Sequence, residues 1–171
     1  MSGRLLLIRH ARAAGQAPDA PLTPEGVAQA EALAESLSES GITRIVSSPW
    51  QRAVATAEPL ARRLGLPVQT DERLTERVLS SADRADWMEC LRESFGDDHL
   101  TLPGGESGHA ARARILAVLE DARDPAGTTA VVSHGNLLAL ALGLDYDGWA
   151  GLRNPDVWVW DAGTSARWEP A

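Results

Sequence analysis

The sequence contains no lysine; all 16 of its basic residues are arginine. Arginine for lysine throughout matches GC-rich coding and by itself assigns no function. Cysteine is nearly absent as well. Cys90, the single one, excludes an internal disulfide and fits a reducing compartment. Long apolar runs are missing: Met1-Ser2-Gly3-Arg4 leads into only four apolar residues, Leu5 to Ile8. That run is too short for a signal-peptide core and far too short for a membrane span, so a soluble cytoplasmic protein is expected. A net positive charge is lacking too, the formal value being −8. Broad nucleic-acid binding, which needs a basic face, is thereby disfavoured, and any anion site must be built locally from a few arginines. No internal repeat or low-complexity tract stands out. Pro103-Gly104-Gly105 has no following Gly-Lys and is no Walker loop. His99 and His109 flank it without metal-ligand spacing, so they read as surface residues, and no metal site is expected.

What is present is enough apolar sequence, 44% of 171 residues, for one core and one domain spanning 1–171. Short apolar runs alternate with longer helix-like segments, the pattern of an α/β protein. Leu5 to Ile8 reads as a strand covered on both faces. Thr23 is a good N-cap with Pro24 behind it, and Val27, Ala30, Leu33, Ala34 and Leu37 fall on one face of the helix that follows. After a strand at Ile42 to Val46, Ser48-Pro49-Trp50-Gln51 has a capping-box pattern with Ser48 as cap, opening a helix to Leu64. Pro67 to Thr70 is a short strand candidate. Residues 71–105 are the least regular stretch, with a helix expected around Arg84 to Phe95. A helix from Glu106 to Ala122, a strand from Thr128 to Val132, a helix from Leu137 to Leu142 and two terminal strands, Val157 to Trp160 and Thr164 to Trp168, complete the chain. The expected fold is a three-layer α/β sandwich with a mainly parallel sheet and helices on both faces.

Two histidines occupy matching contexts. Leu6-Leu7-Ile8-Arg9-His10 and Ala130-Val131-Val132-Ser133-His134 are apolar strands that end on histidine. Ligands of open α/β sheets bind beyond the carboxyl ends of the strands, so parallel strands would bring His10 and His134 to one sheet edge. Arg52 lies in the first turns of a helix that also follows a strand. It should point to the same edge, where a guanidinium forks onto phosphate oxygens. Trp50 and Trp87 are placed near the pocket mouth, and His109 is a further candidate for its lining.

These residues resemble the histidine phosphatase superfamily, which includes the cofactor-dependent phosphoglycerate mutases. The resemblance is carried by Arg9-His10-Ala11, Leu22-Thr23-Pro24-Glu25-Gly26, Ser47-Ser48-Pro49 with Arg52-Ala53 and Thr56-Ala57, Leu74-Thr75-Glu76-Arg77, Pro103-Gly104-Gly105-Glu106-Ser107 and Val132-Ser133-His134-Gly135, in that order. It spans residues 4 to 160 and adds one antiparallel edge strand to the expected sheet. It implies that His10 is the nucleophile that becomes phosphohistidine, that Arg9, Arg52 and His134 ring the phosphate, and that Glu76 protonates the leaving oxygen. The physics of those roles is coherent. A transferring phosphoryl group spreads negative charge over its oxygens, and two arginines and a histidine stabilise that charge. A neutral imidazole is a competent nucleophile, and a carboxyl working as general acid needs its pKa raised by burial or by nearby negative charge.

The sequence departs from the family at Ala11, where glycine is usual, and at Ala13 and Gln16, which replace threonine and asparagine. Val78-Leu79-Ser80-Ser81 replaces the usual Gly-x-Trp-Glu-Gly. These changes resemble the short phosphatases more than the glycolytic mutases. The expected activity is therefore phosphomonoester hydrolysis without metal or organic cofactor. The partner would be a small phosphorylated substrate or a phosphoprotein. The alternatives are a mutase, which needs a closed pocket that excludes water, and a non-catalytic phospho-ligand binder. Glu106 is the next carboxyl to consider if Glu76 is not the acid.

Overall fold

The computed structural model describes residues 3–161 and 164–170. Strand β1 (Arg4–Arg9) leads to α1 (Pro24–Leu37), β2 (Ile42–Ser47), α2 (Gln51–Leu64), β3 (Val68–Thr70) and a 3-10 turn (Glu72–Leu74). Then come α3 (Trp87–Gly96), α4 (Gly108–Ala122), β4 (Thr128–Ser133), α5 (Gly135–Leu142), α6 (Tyr146–Ala150), β5 (Asp156–Asp161) and β6 (Thr164–Arg167). The strands form one sheet in the order β3-β2-β4-β1-β5-β6. The first four run parallel, while β5 is antiparallel to both β1 and β6. The antiparallel strand is thus one place in from the edge, because β6 turns back and pairs along it.

Alternation along the strands explains the two cores. Leu5 and Leu7 of β1, Val46 of β2 and Val131 of β4 face α4 and α5, packing on Ile115, Leu119 and Leu137. Leu6, Ile8, Ile45, Ala130 and Val132 face α1 and α2, packing on Leu33, Leu37, Ala57 and Leu60. All four apolar residues of β1 have no exposed surface, each burial being worth about 1.5–3 kcal/mol before ordering costs. The expected three-layer α/β sandwich is what the chain forms. A smaller cluster of Leu79, Cys90 and Leu91, with Phe95, Tyr146 and Trp149, ties α3 and the irregular segment before it to α6. The short helix α6 was not anticipated from the sequence. Among the described residues, no helix is long and apolar enough to cross a membrane.

Two local expectations fail for identifiable reasons. Val27 is 52% exposed and Gly26 is buried in its place. A Cβ at residue 26 would collide with the Arg12 carbonyl, so the first turn of α1 is rotated to bring the bare glycine inward. Ser48 does not cap α2, which starts later with Trp50 at the cap position. The Gln51 N–H that Ser48 was to receive goes to the Pro18 carbonyl instead, at 2.9 Å. Ser48 is used elsewhere.

Candidate active site

Parallel pairing fixes the site. Arg9 of β1 lies opposite Ser133 of β4, so the residues that follow, His10 and His134, leave the sheet side by side. Their rings meet edge to face with centroids 5.2 Å apart. The main chain of His10 is pinned by its own N–H to the Ser133 carbonyl at 3.1 Å and by Asn154 Nδ2 donating to its carbonyl at 3.1 Å. Thr56 Oγ1 accepts the next N–H, that of Ala11, at 2.9 Å while donating to the Arg52 carbonyl at 2.7 Å. The turn after β1 is thereby tied to α2.

The His10 ring has a defined tautomer. Nδ1 is 2.7 Å from the Ala11 carbonyl, which can only accept, so Nδ1 carries the proton and Nε2 presents its lone pair. Arg52 Nε donates to that lone pair at 3.2 Å. Burial lowers the His10 pKa to about 4, against the Ala11 hydrogen bond and with help from the Arg52 and Arg9 charges. The imidazole is therefore neutral across the physiological range.

Arg52 is 1% exposed, an unusual place for a guanidinium. Its Nη1 donates to the Gln16 and Ala17 carbonyls at 3.3 and 2.9 Å, and it lies over the Trp50 ring at 4.9 Å. The first amide of α2 is spent on Pro18, and it is the Arg52 side chain that the start of this helix turns towards His10. Arg9 donates through Nη1 to the Leu152 carbonyl at 3.1 Å, and its buried Nε has no partner. Gly135 makes room for it: a Cβ there would be 2.8 Å from Arg9 Nε. His134 is fully buried, with Nε2 2.8 Å from Ser48 Oγ and Nδ1 without a partner.

Glu76 arrives from the turn after β3. Ser133 Oγ donates to the Leu74 carbonyl at 2.8 Å, anchoring that turn on the end of β4. The Glu76 carboxylate accepts N–H groups from Arg77, Leu137 and Asn136 at 2.8, 2.9 and 3.1 Å. Burial pushes its pKa up, against those three N–H bonds and the Arg9 charge. Such a carboxyl is suited to holding a proton for a leaving group.

Arg9, His10 and Glu76 line one cavity of about 480 Å³. Its outer wall is Arg12, Ala13, Gln16, Gln29 and Asn154, with Gly135 below. All five residues singled out from the sequence therefore come together, Arg52 and His134 through their contacts with His10. Other placements differ. Trp50 packs under the site, its ring 4.9 Å from His134. Trp87 is 42% exposed and absent from the cavity wall. His109 stacks on His99 at the surface, centroids 5.1 Å apart, rather than lining the pocket. Glu106 is held by Arg114 at 2.6 Å. Sequence reasoning missed Ser48, Thr56, Gln29 and Asn154 as site residues. Ser48 stood within the quoted motifs only as a helix cap and Thr56 without a role; nothing nearby in the sequence marked Gln29 or Asn154. Among the described residues, no three His, Cys, Asp or Glu side chains converge to hold a metal ion.

Comparison with known proteins agrees with this geometry. Residues 5–158 match the histidine phosphatase superfamily (branch 1). A probable phosphoglycerate mutase of Shigella boydii is 32% identical over 88% of this chain and 79% of its own length. Its counterpart in Escherichia coli K12 is 33% identical over 77% of this chain and 69% of its own. Among solved structures, a mycobacterial glucosyl-3-phosphoglycerate phosphatase superposes with a TM-score of 0.74 at 29% identity, covering 93% of this chain and 90% of that one. With a neutral histidine facing two arginines in a family-matched sheet edge, the chain belongs to the histidine phosphatase superfamily, branch 1, as a phosphomonoester hydrolase acting through a histidine intermediate.

Proposed function

We propose that His10 is that histidine. Its Nε2 lone pair attacks phosphorus, a P–N bond forms, and the P–O bond to the leaving group breaks. Arg9, Arg52 and His134 hold the equatorial oxygens, and Glu76 gives its proton to the departing oxygen. Water then attacks the phosphohistidine and passes a proton to Glu76, releasing inorganic phosphate and restoring both groups. The observation that carries this reading is the His10 ring itself, with Nδ1–H tied to the Ala11 carbonyl and Nε2 turned onto a buried guanidinium. The arginine pair supplies the charge that a divalent metal supplies elsewhere, which favours a reaction needing neither metal nor cofactor.

The substrate is a small, polar phosphomonoester rather than a phosphoprotein. Support comes from the cavity rim, where Arg12, Gln16, Gln29 and Asn154 offer hydrogen bonds and no extended apolar surface. The mycobacterial enzyme of similar structure is named for a glucosyl phosphoglycerate, a molecule of this character. One catalytic domain is supported by the single sheet from β3 to β6. The sole cysteine, free and buried, suits a cytoplasmic home.

The test is turnover of a panel of phosphomonoesters in excess EDTA, with free phosphate measured and the acid-labile phosphoenzyme trapped. His10→Ala should abolish the phosphoenzyme and lower turnover by more than about 10³-fold with the fold intact. Retention of a tenth of wild-type turnover by His10→Ala would remove the nucleophile assignment. Loss of activity in EDTA, restored by one divalent ion, would remove the metal-free reading.

A further inference from the structure

A neutral histidine carries one ring proton, and only the nitrogen that holds it can donate to a phosphoryl oxygen. His134 stays neutral: burial, then the neighbouring His10 and the Arg52, Arg114 and Arg9 charges, keep its pKa well below the ordinary value. The choice of nitrogen is therefore decided by hydrogen bonding. Nε2 lies 2.8 Å from Ser48 Oγ, whereas Nδ1 is buried with no protein partner. Ser48 is itself fully buried, and its Oγ already accepts the Trp50 N–H at 3.2 Å.

Two arrangements are available. If Nε2 held the proton, Ser48 Oγ would receive two donors, its own hydroxyl proton would have no acceptor, and the Nδ1 lone pair would be buried without a donor. If the Ser48 hydroxyl donates to Nε2, the proton sits on Nδ1, and the one group left unmet is an N–H that an anion satisfies. A buried polar group without a partner costs about 1–3 kcal/mol, so the second arrangement, with fewer of them, prevails.

We infer that Ser48 is a positioning residue: its hydroxyl donates to His134 Nε2 and so holds the His134 proton on Nδ1, ready for a phosphoryl oxygen. This rests on reading the cavity as a phosphoryl site. It also explains why Ser48 does not cap α2. Its oxygen accepts the Trp50 N–H rather than the Gln51 N–H, and its proton goes to His134. The helix that carries Arg52 thus also sets the donor state of His134.

The test reads the tautomer directly. Two-bond ¹⁵N–¹H correlation spectra of the histidine-labelled protein resolve its four histidines, and the His134 signals are assigned by their loss in His134→Asn. In the unaltered protein near pH 7.5 His134 should show an N–H type Nδ1 and a lone-pair type Nε2. Inorganic phosphate should shift the Nδ1–H proton. Ser48→Ala should let the proton move to Nε2 and weaken phosphate binding by about 10- to 100-fold, the loss of one hydrogen bond to a charged group. Ser48→Thr should restore both. The rate of phosphoenzyme formation in single turnover should fall in Ser48→Ala by about 10- to 10³-fold. A wild-type His134 with its proton on Nε2 overturns the inference, whether or not the variants fold. So does a Ser48→Ala protein with an unchanged tautomer, or a Ser48→Thr protein that fails to recover it. The tautomer is read without turnover, so a protein inactive on every phosphomonoester would count against the hydrolase reading alone.

Discussion

Glu76 and Glu106 stand thirty residues apart by number, each beside an arginine in the sequence or in space, and their surroundings give them opposite roles. Glu106 forks with Arg114 at 2.6 Å, an ion pair that has a clear structural use. Glu76 meets backbone N–H groups instead, and burial lifts its pKa. A general acid helps a poor leaving group far more than a good one. Glu76→Gln should therefore slow phosphoenzyme formation about 10²–10⁴-fold on an alkyl phosphate. The loss should be much smaller on nitrophenyl phosphate, whose leaving group needs no proton. Single-turnover kinetics must isolate the step, since the proposed mechanism also uses Glu76 as base in the breakdown of phosphohistidine. Equal losses on both substrates would mean that Glu76 acts by binding or structure.

Elements act on the site through their ends. The start of α5 supplies two of the three N–H groups that fix Glu76, and its first residue, Gly135, lies against the Arg9 guanidinium. A methyl group at residue 135 would stand 2.8 Å from Arg9 Nε and 2.9 Å from its Cζ. The helix packs through Leu137 and Leu138 against Leu5, Leu7 and Val131, and the atoms met are the end of the Arg9 side chain, so Arg9 is the group expected to move. Gly135→Ala should leave a folded protein destabilised by about 1–3 kcal/mol. It should also lose more than tenfold in kcat/KM, because displacing a charge-stabilising group by about 1 Å is costly. Thermal melts alongside kinetics check this. An active, equally stable Gly135→Ala protein would show that the contact with Arg9 is dispensable. On the other side of Arg9, Asp156 of β5 pairs in register with it and is buried on an ion pair to Arg167 at 2.9 Å. The sheet therefore brings a carboxylate close to Arg9 from β5, and its charge favours the guanidinium.

At the scale of the whole molecule the buried histidines link stability to pH. His10 has a folded pKa of about 4, below the 6.5 of an unfolded histidine, and that of His134 is also well below it. Between these values the unfolded chain binds protons that the folded chain refuses. Stability should thus be full above about pH 6.5 and fall as pH drops towards 4, by about 1.4 kcal/mol per pH unit for each histidine. Glu76, whose folded pKa is raised above its ordinary value, opposes part of this loss as pH falls through that raised value. Urea unfolding between pH 7.5 and 5 in wild type and in a His10→Asn, His134→Asn pair checks the sign and size. The double variant should lose most of the slope, and an unchanged slope would place the titration elsewhere. On the acid side, the activity proposed above should decline as His10 is protonated, well below the pKa of an ordinary histidine.

Periodicity was legible because it is local. The apolar β1 and β4, the Thr23 cap with Pro24, and the glycine stops after α2 and α5 each follow from neighbouring residues. The strand-ending histidines pointed to one sheet edge as soon as the strands were taken as parallel, the helix opening after the second strand brought Arg52 to the same edge, and the family resemblance added Glu76. What the sequence by itself determined is therefore the α/β class, the approximate elements and the set of chemical groups that meet. Only the tertiary structure decided how those groups are held. The rotation of Val27 to solvent depends on a carbonyl from a loop before its helix. The use of Ser48 depends on a histidine 86 residues away. Asn154 reaches the His10 carbonyl across 144 residues. Hydrogen bonds between distant segments carry no signature in local sequence, because any polar side chain of the right length could supply them. The fold selects which one does.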